Sequence, residues 1–263
     1  MSLDLIDIGA NLTHDSFDGD RDAVIERASK CGVRRLIVTG SSAESSADAA
    51  KLAATRPGLL YATAGVHPHH ASEYTAEVND RLLALLNSDN VVAVGECGLD
   101  YFRDFSPRQA QRLAFEAQLA LAATTGLPLF LHQRDAHADF VSILQPVFDR
   151  LAGGVAHCFT GDAEALHAYL DMGLYIGITG WICDERRGSG LRTLASEIPL
   201  DRLMIETDAP YLLPRTLHQK PKTRRNEPMY LREVLRVFAE ASGQPEETIA
   251  IASTRNAERL FAL

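Results

Sequence analysis

Cysteine is scarce in this chain, and long apolar runs are absent. The four cysteines, Cys31, Cys97, Cys158 and Cys183, form no C-x-x-C pair, which indicates reduced thiols and argues against a disulfide framework or a zinc knuckle. No stretch of 18 uncharged apolar residues occurs, so no membrane-spanning helix is expected. The acidic N-terminal segment lacks the basic start of a secretory signal peptide. We therefore expect a cytoplasmic protein that does not bind membranes.

Positive charge is also in short supply. Only four lysines are present, and 35 acidic residues against 26 basic ones give a formal net charge of −9. This balance argues against a protein that coats nucleic acid non-specifically, but it allows an enzyme with a local cationic groove or a bound divalent metal. The positions of the arginines are therefore more informative than the total charge.

Motifs that mark several common enzyme classes are missing. No G-x-G-x-x-G and no P-loop follows any apolar run, which weakens a nucleotide-binding open sheet. There is also no G-x-S-x-G, and no thiol has a persuasive histidine partner. Catalysis by a nucleophilic serine or cysteine is therefore poorly supported.

Short apolar runs of β-strand character alternate with helical segments along the chain. The predicted strands are Leu3–Ile8, Arg35–Thr39, Leu60–Val66, Val91–Gly95, Leu129–His132, Val155–His157, Leu174–Ile178 and Leu203–Glu206. Helical periodicity is clear over Ala76–Leu86 and Pro107–Thr125. The second helix has Ser106 as its predicted N-cap, with Gln109 completing a capping box.

Eight such units predict a parallel sheet closed into a (β/α)₈ TIM barrel, with extra helices after the eighth strand. A doubly wound open sheet is the alternative fold. No linker, repeat or low-complexity segment interrupts the chain, so we expect residues 1–263 to form a single domain. Nothing in the sequence indicates a dimer, and we expect a monomer.

Side chains that can bind a metal follow one predicted strand after another. Each alone has an ordinary explanation, as a helix cap or as the partner of a backbone group. Together they predict a Zn²⁺, Mn²⁺ or Mg²⁺ site, because the carboxyl ends of barrel strands meet at one mouth. The residues are Asp7, Asn11, His67, Glu96, His132, His157, Glu206 and Asp208.

The loops after strands four, seven and eight carry weaker signals. Asp100 and Arg103 are candidates for substrate contact or for a surface ion pair. Residues 215–225 contain five basic residues and no acid, which fits either a solvated face or a phosphate contact. Cys97 and Cys158 each adjoin a candidate ligand, and strand alternation predicts that both face the helix layer.

Several sequence blocks resemble motifs of the TatD-type metal-dependent deoxyribonucleases. They are Gly95-Glu-Cys-Gly-Leu-Asp100, Leu131-His132, His157-Cys-Phe-Thr-Gly161, Glu206-Thr-Asp-Ala-Pro-Tyr211 and Arg225-Asn-Glu-Pro228. The resemblance spans essentially the whole chain. It implies a TIM barrel of the metallo-dependent hydrolase group that cleaves phosphodiesters. It further implies a cytoplasmic, magnesium-dependent 3′ to 5′ exonuclease acting on single-stranded DNA and RNA, associated with repair of oxidative DNA damage.

The resemblance also implies roles for individual residues. Glu96, His132 and His157 would be metal ligands, and Asp208 would be the metal-linked acid that orients or deprotonates the attacking water. Most members have two histidines where this chain has Gly9 and Asn11. Glycine has no ligand atom and an amide oxygen suits a hard cation, so this departure favours one firmly held metal and Mg²⁺ over Zn²⁺ or Mn²⁺.

The remaining assignments concern the substrate. We expect His67 and Arg103 to stabilise charge that develops on the phosphate oxygens. Flanking phosphates are assigned to guanidinium groups, whose planar fork matches a phosphate, and one aromatic residue is expected to stack on a base. These substrate-binding candidates are Arg186, Arg187, Arg225 and Trp181.

Two other functions compete with this interpretation. A small-molecule ester, lactone or amide hydrolase of the same barrel group is disfavoured, since many of these need a strand-four lysine and the missing histidine pair. A non-enzymatic barrel that binds nucleic acid or protein is also disfavoured, because a net charge of −9 suits tight non-specific binding poorly.

Overall fold

The structure, a computed structural model, describes residues 4–263 and contains a sheet of eight parallel strands. The strands are β1 (Leu5–Ala10), β2 (Val33–Val38), β3 (Leu60–Ala64), β4 (Val91–Asp100), β5 (Leu129–Arg134), β6 (Gly154–Ala156), β7 (Tyr175–Ile178) and β8 (Leu203–Ile205). The α-helices are α1 (Arg21–Lys30), α2 (Ala43–Ala54), α3 (Ala76–Leu86), α4 (Arg108–Thr125), α5 (His137–Leu144), α6 (Ala163–Asp171), α7 (Ser189–Leu194), α8 (Leu231–Ser242) and α9 (Glu246–Phe261).

The strands pair in sequence order from β1 to β8, and the sheet then closes on itself. Closure comes from backbone hydrogen bonds just beyond β8: Asn11 N–H donates to Ala209 O over 2.7 Å, and Asp208 N–H donates to Gly9 O over 2.8 Å. The predicted (β/α)₈ barrel is therefore confirmed. The extra helices expected after the eighth strand are α8 and α9.

The observed strand ends differ from the predicted ones by up to two residues, and the end of β4 differs by five. Helix α3 has the predicted bounds, and Leu3 at the start of the first predicted strand lies outside the described residues. Strand β4 continues past Gly95 to Asp100, through an irregular register against β5 between Val94 and Cys97. Glu96 therefore lies within β4 and not at its end.

The predicted capping box of α4 does not form. Pro107 is the N-cap residue. The Ser106 hydroxyl instead donates to His69 O over 2.9 Å and accepts from Ser72 N–H over 3.1 Å. Ser106 thus ties the loop after β3 to the start of α4, which fixes the neighbourhood of His69.

Two apolar layers hold the barrel together. The larger lies between strands and helices, and includes Leu36 and Val38. The smaller contains alternate residues such as Ile6, Ile8 and Phe130, and Phe261 of α9 packs with it. Because strand side chains alternate between faces, these two sets correspond to the outside and the inside of the barrel. No helix within residues 4–263 combines the length and apolarity needed to cross a membrane.

Candidate active site

A cavity of about 650 Å³ opens among the carboxyl ends of the strands. Most residues predicted from the sequence as site residues line it. Those that do are His67, Glu96, Arg103, His132, His157, Trp181, Arg187 and Asp208. The predicted convergence of these side chains at one mouth of the barrel is therefore observed, and the cavity they line is the candidate site.

One carboxylate oxygen lies at the centre of the site. Glu96 Oε1 lies 2.9 Å from His157 Nε2, 3.0 Å from His132 Nδ1 and 3.3 Å from His67 Nε2. Burial by itself would raise the pKa of Glu96, but the surrounding imidazoles outweigh it and lower that pKa well below its usual range. Glu96 is therefore an anion that gathers three histidines from β5 and the loops after β3 and β6.

Glycines on either side of Glu96 allow β4 to approach β5 closely. Gly95 and Gly98 have φ of 138° and 141°, a region that residues with a side chain rarely adopt. A Cβ at Gly95 would collide with Phe130 O, and one at Gly98 with His132 O. The Gly-Glu-Cys-Gly sequence is therefore what brings the Glu96 carboxylate against the backbone that carries His132.

Buried Glu206 orients His157, one of the three histidines around Glu96. Its Oε2 lies 3.2 Å from His157 Nδ1, and its Oε1 accepts from Cys158 N–H over 2.5 Å. Burial alone would lower the pKa of His157, but Glu206 and Glu96 raise it well above the ordinary value. Phe130 stacks on the same imidazole with ring centroids 4.6 Å apart, so the ring is fixed from both its edge and its face.

The place of the missing first-strand histidine is filled by other groups. A Cβ built on Gly9 would collide with Glu206 Oε2 and lie 2.9 Å from Phe130 Cζ. Asn11 does reach the cavity, where its side-chain amide donates to Asp208 Oδ1 over 2.9 Å. The residue that follows β1 therefore contributes an amide to the site, and Gly9 within β1 contributes no side chain.

Asp208 is the second cavity carboxylate, beside Glu96. Burial raises its pKa to about 7, with the nearby carboxylates of Glu96 and Glu206 adding to the rise and His157 opposing it. Among residues 4–263, the Asp208 carboxyl group has one hydrogen bond, which comes from Asn11. A buried carboxylate with one hydrogen bond keeps lone pairs free for a water molecule or a cation.

Asp100 and His69 lie beside His132 and support it through contacts that were not predicted from the sequence. Asp100 Oδ2 lies 2.7 Å from His69 Nε2 and 3.5 Å from His132 Nε2. Its Oδ1 accepts the backbone N–H groups of Phe102 and Arg103 over 3.0 and 2.8 Å. Asp100 is buried, so the alternative of a surface ion pair is wrong.

The donor set suits a divalent cation. Ligand atoms of His67, Glu96 and His132 all lie within 4.8 Å of one another. The other nitrogen of His132, Nε2, is buried and faces Asp100 Oδ2 at 3.5 Å. Two imidazoles and one carboxylate are donor types that divalent metal sites use. The geometry thus favours His67 as a candidate ligand, one of the metal-capable residues in the sequence, over the charge-stabilising role expected for it.

The predicted substrate-binding residues separate into two groups. Trp181 and Arg187 lie together on the cavity wall, with Arg187 Cζ 4.4 Å from the Trp181 ring centroid. Arg186 is exposed on the same loop but does not line the cavity. Arg225 lies elsewhere, where its guanidinium bonds to Asp20 and Glu227 over 2.7 to 2.9 Å.

Two further expectations fail for local reasons. Asp7 lies within β1 and accepts from the Thr207 hydroxyl and backbone N–H over 2.5 and 2.9 Å, so it braces the chain after β8 and does not line the cavity. Cys158 lines the cavity and does not face the helix layer, because its positive φ of 47° breaks the strand alternation. Burial raises the pKa of its thiol to about 12, which disfavours a thiolate nucleophile.

Comparison with known proteins identifies the family. The profile of the TatD related DNase family matches residues 6–262. The chain belongs to the TatD related DNases. It is 50% identical over 259 residues to the 3′-5′ ssDNA/RNA exonuclease TatD of Pantoea vagans, a match that covers 98% of this chain and 100% of the relative. The same-named protein of Pantoea sp. strain At-9b is 51% identical with the same coverage.

Solved structures agree with this assignment. A TatD homologue from Escherichia coli K12 has a TM-score of 0.90 at 32% identity and covers 100% of both chains. A TatD family hydrolase from Entamoeba histolytica has a TM-score of 0.88 at 28% identity, covering 99% of each. The family resemblance drawn from the sequence blocks is therefore confirmed.

This TatD family chain contains site residues that sequence reasoning passed over. His69 and Arg134 both line the cavity. Each lies two positions after a recognised histidine, His67 and His132. For Arg134, the last residue of β5, the two-residue period of a strand was the available signal, because it places residue 134 on the same face as residue 132.

Proposed function

We propose that this chain is a metal-dependent 3′ to 5′ exonuclease that hydrolyses phosphodiester bonds of single-stranded DNA and RNA. The observation that carries the proposal is the Glu96-centred histidine cluster at the mouth of the barrel. It is supported by sequence identities of 50% and 51%, over 98% of the chain, to relatives named for that activity. A polyanionic substrate also accounts for Arg103, Arg134 and Arg187 in the cavity lining of a molecule whose net charge is −9.

The metal would be held by Glu96 and His132, with His67 and His157 beside them. A divalent cation supplies Lewis-acid polarisation of the phosphoryl oxygen and of the attacking water. Mg²⁺ is the ion we propose, because Asn11 and Asp208 add oxygen donors and Gly9 adds none. Mn²⁺ and Zn²⁺ are the alternatives to be compared.

The other functions in the reaction are assigned to individual side chains of the protein. Asp208 accepts the proton of the attacking water, since its free lone pairs face the cavity that Glu96 also lines. Arg103 stabilises charge that develops on the phosphate oxygens. Glu206 and Asp100 position His157 and His132, as carboxylates behind ligating histidines do in metal sites.

The activity is tested with single-stranded DNA labelled at its 3′ or its 5′ end, incubated with Mg²⁺ or with EDTA and run on a denaturing gel. We expect Mg²⁺-dependent loss of the 3′ label first, while the 5′-labelled strand shortens stepwise. EDTA should stop both. Repetition with RNA and with Mn²⁺ or Zn²⁺ ranks the substrates and the ions. Absence of cleavage with all three metals would overturn the proposal.

Arg187 is proposed to bind a flanking phosphate from the cavity wall. Arg187 Nε donates to Asp184 over 2.8 Å, and its Nη groups have no ion-pair partner in the part of the chain that the structure describes. We expect Arg187→Ala to raise KM about 10-fold, the size of one charged hydrogen bond, and to leave kcat nearly unchanged. Steady-state rates on a labelled oligonucleotide check this. An equal loss of kcat would refute the assignment.

Arg225 is reassigned from phosphate binding to stability. Its guanidinium joins Asp20 and Glu227, and Arg27 pairs with the same two carboxylates. We expect Arg225→Met to cost about 1–2 kcal/mol, because hydrogen bonds to charged groups are lost at a partly exposed site. The melting temperature should fall by about 2–6 °C, with KM unchanged.

Arg224 provides the matched control for Arg225. Its side chain forms no ion pair with any residue from 4 to 263, so Arg224→Met should leave the melting temperature unaltered. Equal melting shifts for the two variants would contradict the structural role of Arg225.

A further inference from the structure

Arg134 has an unusual environment for an arginine of this protein. It is half-buried on the cavity wall at the end of β5. Within residues 4–263 its guanidinium makes no hydrogen bond and no ion pair. The half-buried guanidiniums of Arg27, Arg35 and Arg225 are all paired with carboxylates. A half-buried guanidinium without a counter-ion is a site to which an external anion can bind.

An aromatic ring fixes the orientation of this group. Arg134 Cζ lies 3.8 Å from the ring centroid of Phe102, and 5.8 Å from that of Trp181. Phe102 is 53% exposed, so it covers one face of the guanidinium without enclosing it. Stacking leaves the N–H donors free in the plane of the group, where they form the two-pronged contact that suits a phosphate.

The position of Arg134 relative to the Glu96-centred histidine cluster indicates which phosphate of a bound strand it can reach. Residues 132 and 134 lie on the same face of β5, about 6.5 Å apart along the strand. This separation is comparable to that of neighbouring phosphates in a nucleic acid strand. A nucleic acid strand whose scissile phosphate lies at the cluster beside His132 therefore places its next phosphate near residue 134.

We infer that Arg134 binds the phosphodiester next to the scissile one, with Phe102 as the positioning residue that keeps the guanidinium flat against the wall. This inference rests on the proposed exonuclease function and adds a specific contact to it. The contact requires a second phosphate, so the enzyme should prefer a strand of at least three nucleotides to a dinucleotide.

The test combines a protein change with a substrate change. The first-nucleotide release rate is measured on single-stranded DNA whose second linkage from the 3′ end is either a normal phosphodiester or an uncharged methylphosphonate. A strand with the methylphosphonate at the tenth linkage is the substrate control. With the wild-type protein, we expect the neutral second linkage to lower kcat/KM by about 10- to 100-fold, the range for a charged hydrogen bond.

Arg134→Gln should show the same loss on normal DNA, mainly in KM, and no further loss on the neutral linkage. Arg134→Lys should not restore the contact, because an ammonium lacks the planar fork. Phe102→Leu should give a smaller loss that also disappears on the neutral linkage. Arg108→Gln is the matched control: Arg108 stacks on Tyr101 at 4.2 Å, but it pairs with Asp104 and does not line the cavity.

The relative losses of kcat/KM test the inference. If the Arg134→Gln and methylphosphonate losses multiply, or if Arg134→Gln has no effect, the inference is overturned. Thermal melts establish whether each variant is folded. If Arg134→Gln does not fold, the comparison of the two linkages is made with Phe102→Leu instead. If the wild-type protein releases nothing from normal DNA, the proposed function fails. Fluorescence anisotropy of the same strands then still tests the phosphate contact on its own.

Discussion

His132→Ala is expected to lower kcat by about 1,000-fold or more, because loss of metal assistance removes several kcal/mol of transition-state stabilisation. His132 approaches Glu96 through Nδ1 at 3.0 Å, and its buried Nε2 faces Asp100 Oδ2 at 3.5 Å. Removing the ring deletes one corner of the candidate ligand set and leaves an opening beside a charged carboxylate. Steady-state kinetics on labelled single-stranded DNA measures the change.

His167→Ala is the matched control for this variant. His167 also pairs with a carboxylate, Glu197 at 2.9 Å, but both side chains are exposed and neither lines the cavity. We expect its kinetics to equal those of the wild type. Calorimetric titration with Mn²⁺ gives a second readout, in which only His132→Ala should weaken binding. Retention of a tenth of wild-type kcat by His132→Ala would remove His132 from the metal site.

Asp208→Asn should lower kcat by about 100- to 10,000-fold, the range for loss of a general base, while KM changes little. The substitution preserves shape and allows the contact with Asn11, but an amide does not accept a proton from water near neutral pH. Asp149→Asn, on an exposed turn before β6, provides a control for the removal of one negative charge.

Asn11→Ala separates the base from its support. It removes the hydrogen bond to Asp208 Oδ1 without touching the carboxylate, and we expect about a 10-fold loss, as for other residues that orient a functional group. A loss as large as that of Asp208→Asn would mean that Asn11 itself holds the reacting groups. A rise in KM with unchanged kcat in Asp208→Asn would place Asp208 in substrate binding.

The general position of the site was predictable because barrel topology brings separate strand ends to one mouth. Glu96, His132, His157 and Asp208 were found in this way, and the structure brings all four to one cavity. The prediction needed only the order of strands and helices, which apolar periodicity encodes. The precise ends of strands mattered little, since a shift of one residue leaves these side chains at the same end of the barrel.

The partners of those side chains were not predictable by the same means. Cys158 and Asp208 have φ of 47° and 55°, so strand alternation says nothing reliable about the direction of either. Arg225 looked like a substrate residue because it ends a basic loop, yet its partner Asp20 lies 205 residues away in sequence. Contacts of that range depend on how loops fold back, which local composition does not specify.

Gly9 and Glu206 have a consequence for substitutions in the first strand. The Glu206 carboxylate fills the space that a side chain at residue 9 would need, and Phe130 lies beside it. A Gly9→His substitution therefore meets a steric barrier unless the Glu206 carboxylate moves. The same carboxylate contacts His157 Nδ1 and accepts the Cys158 N–H. A change in β1 would thus disturb the imidazole that follows β6.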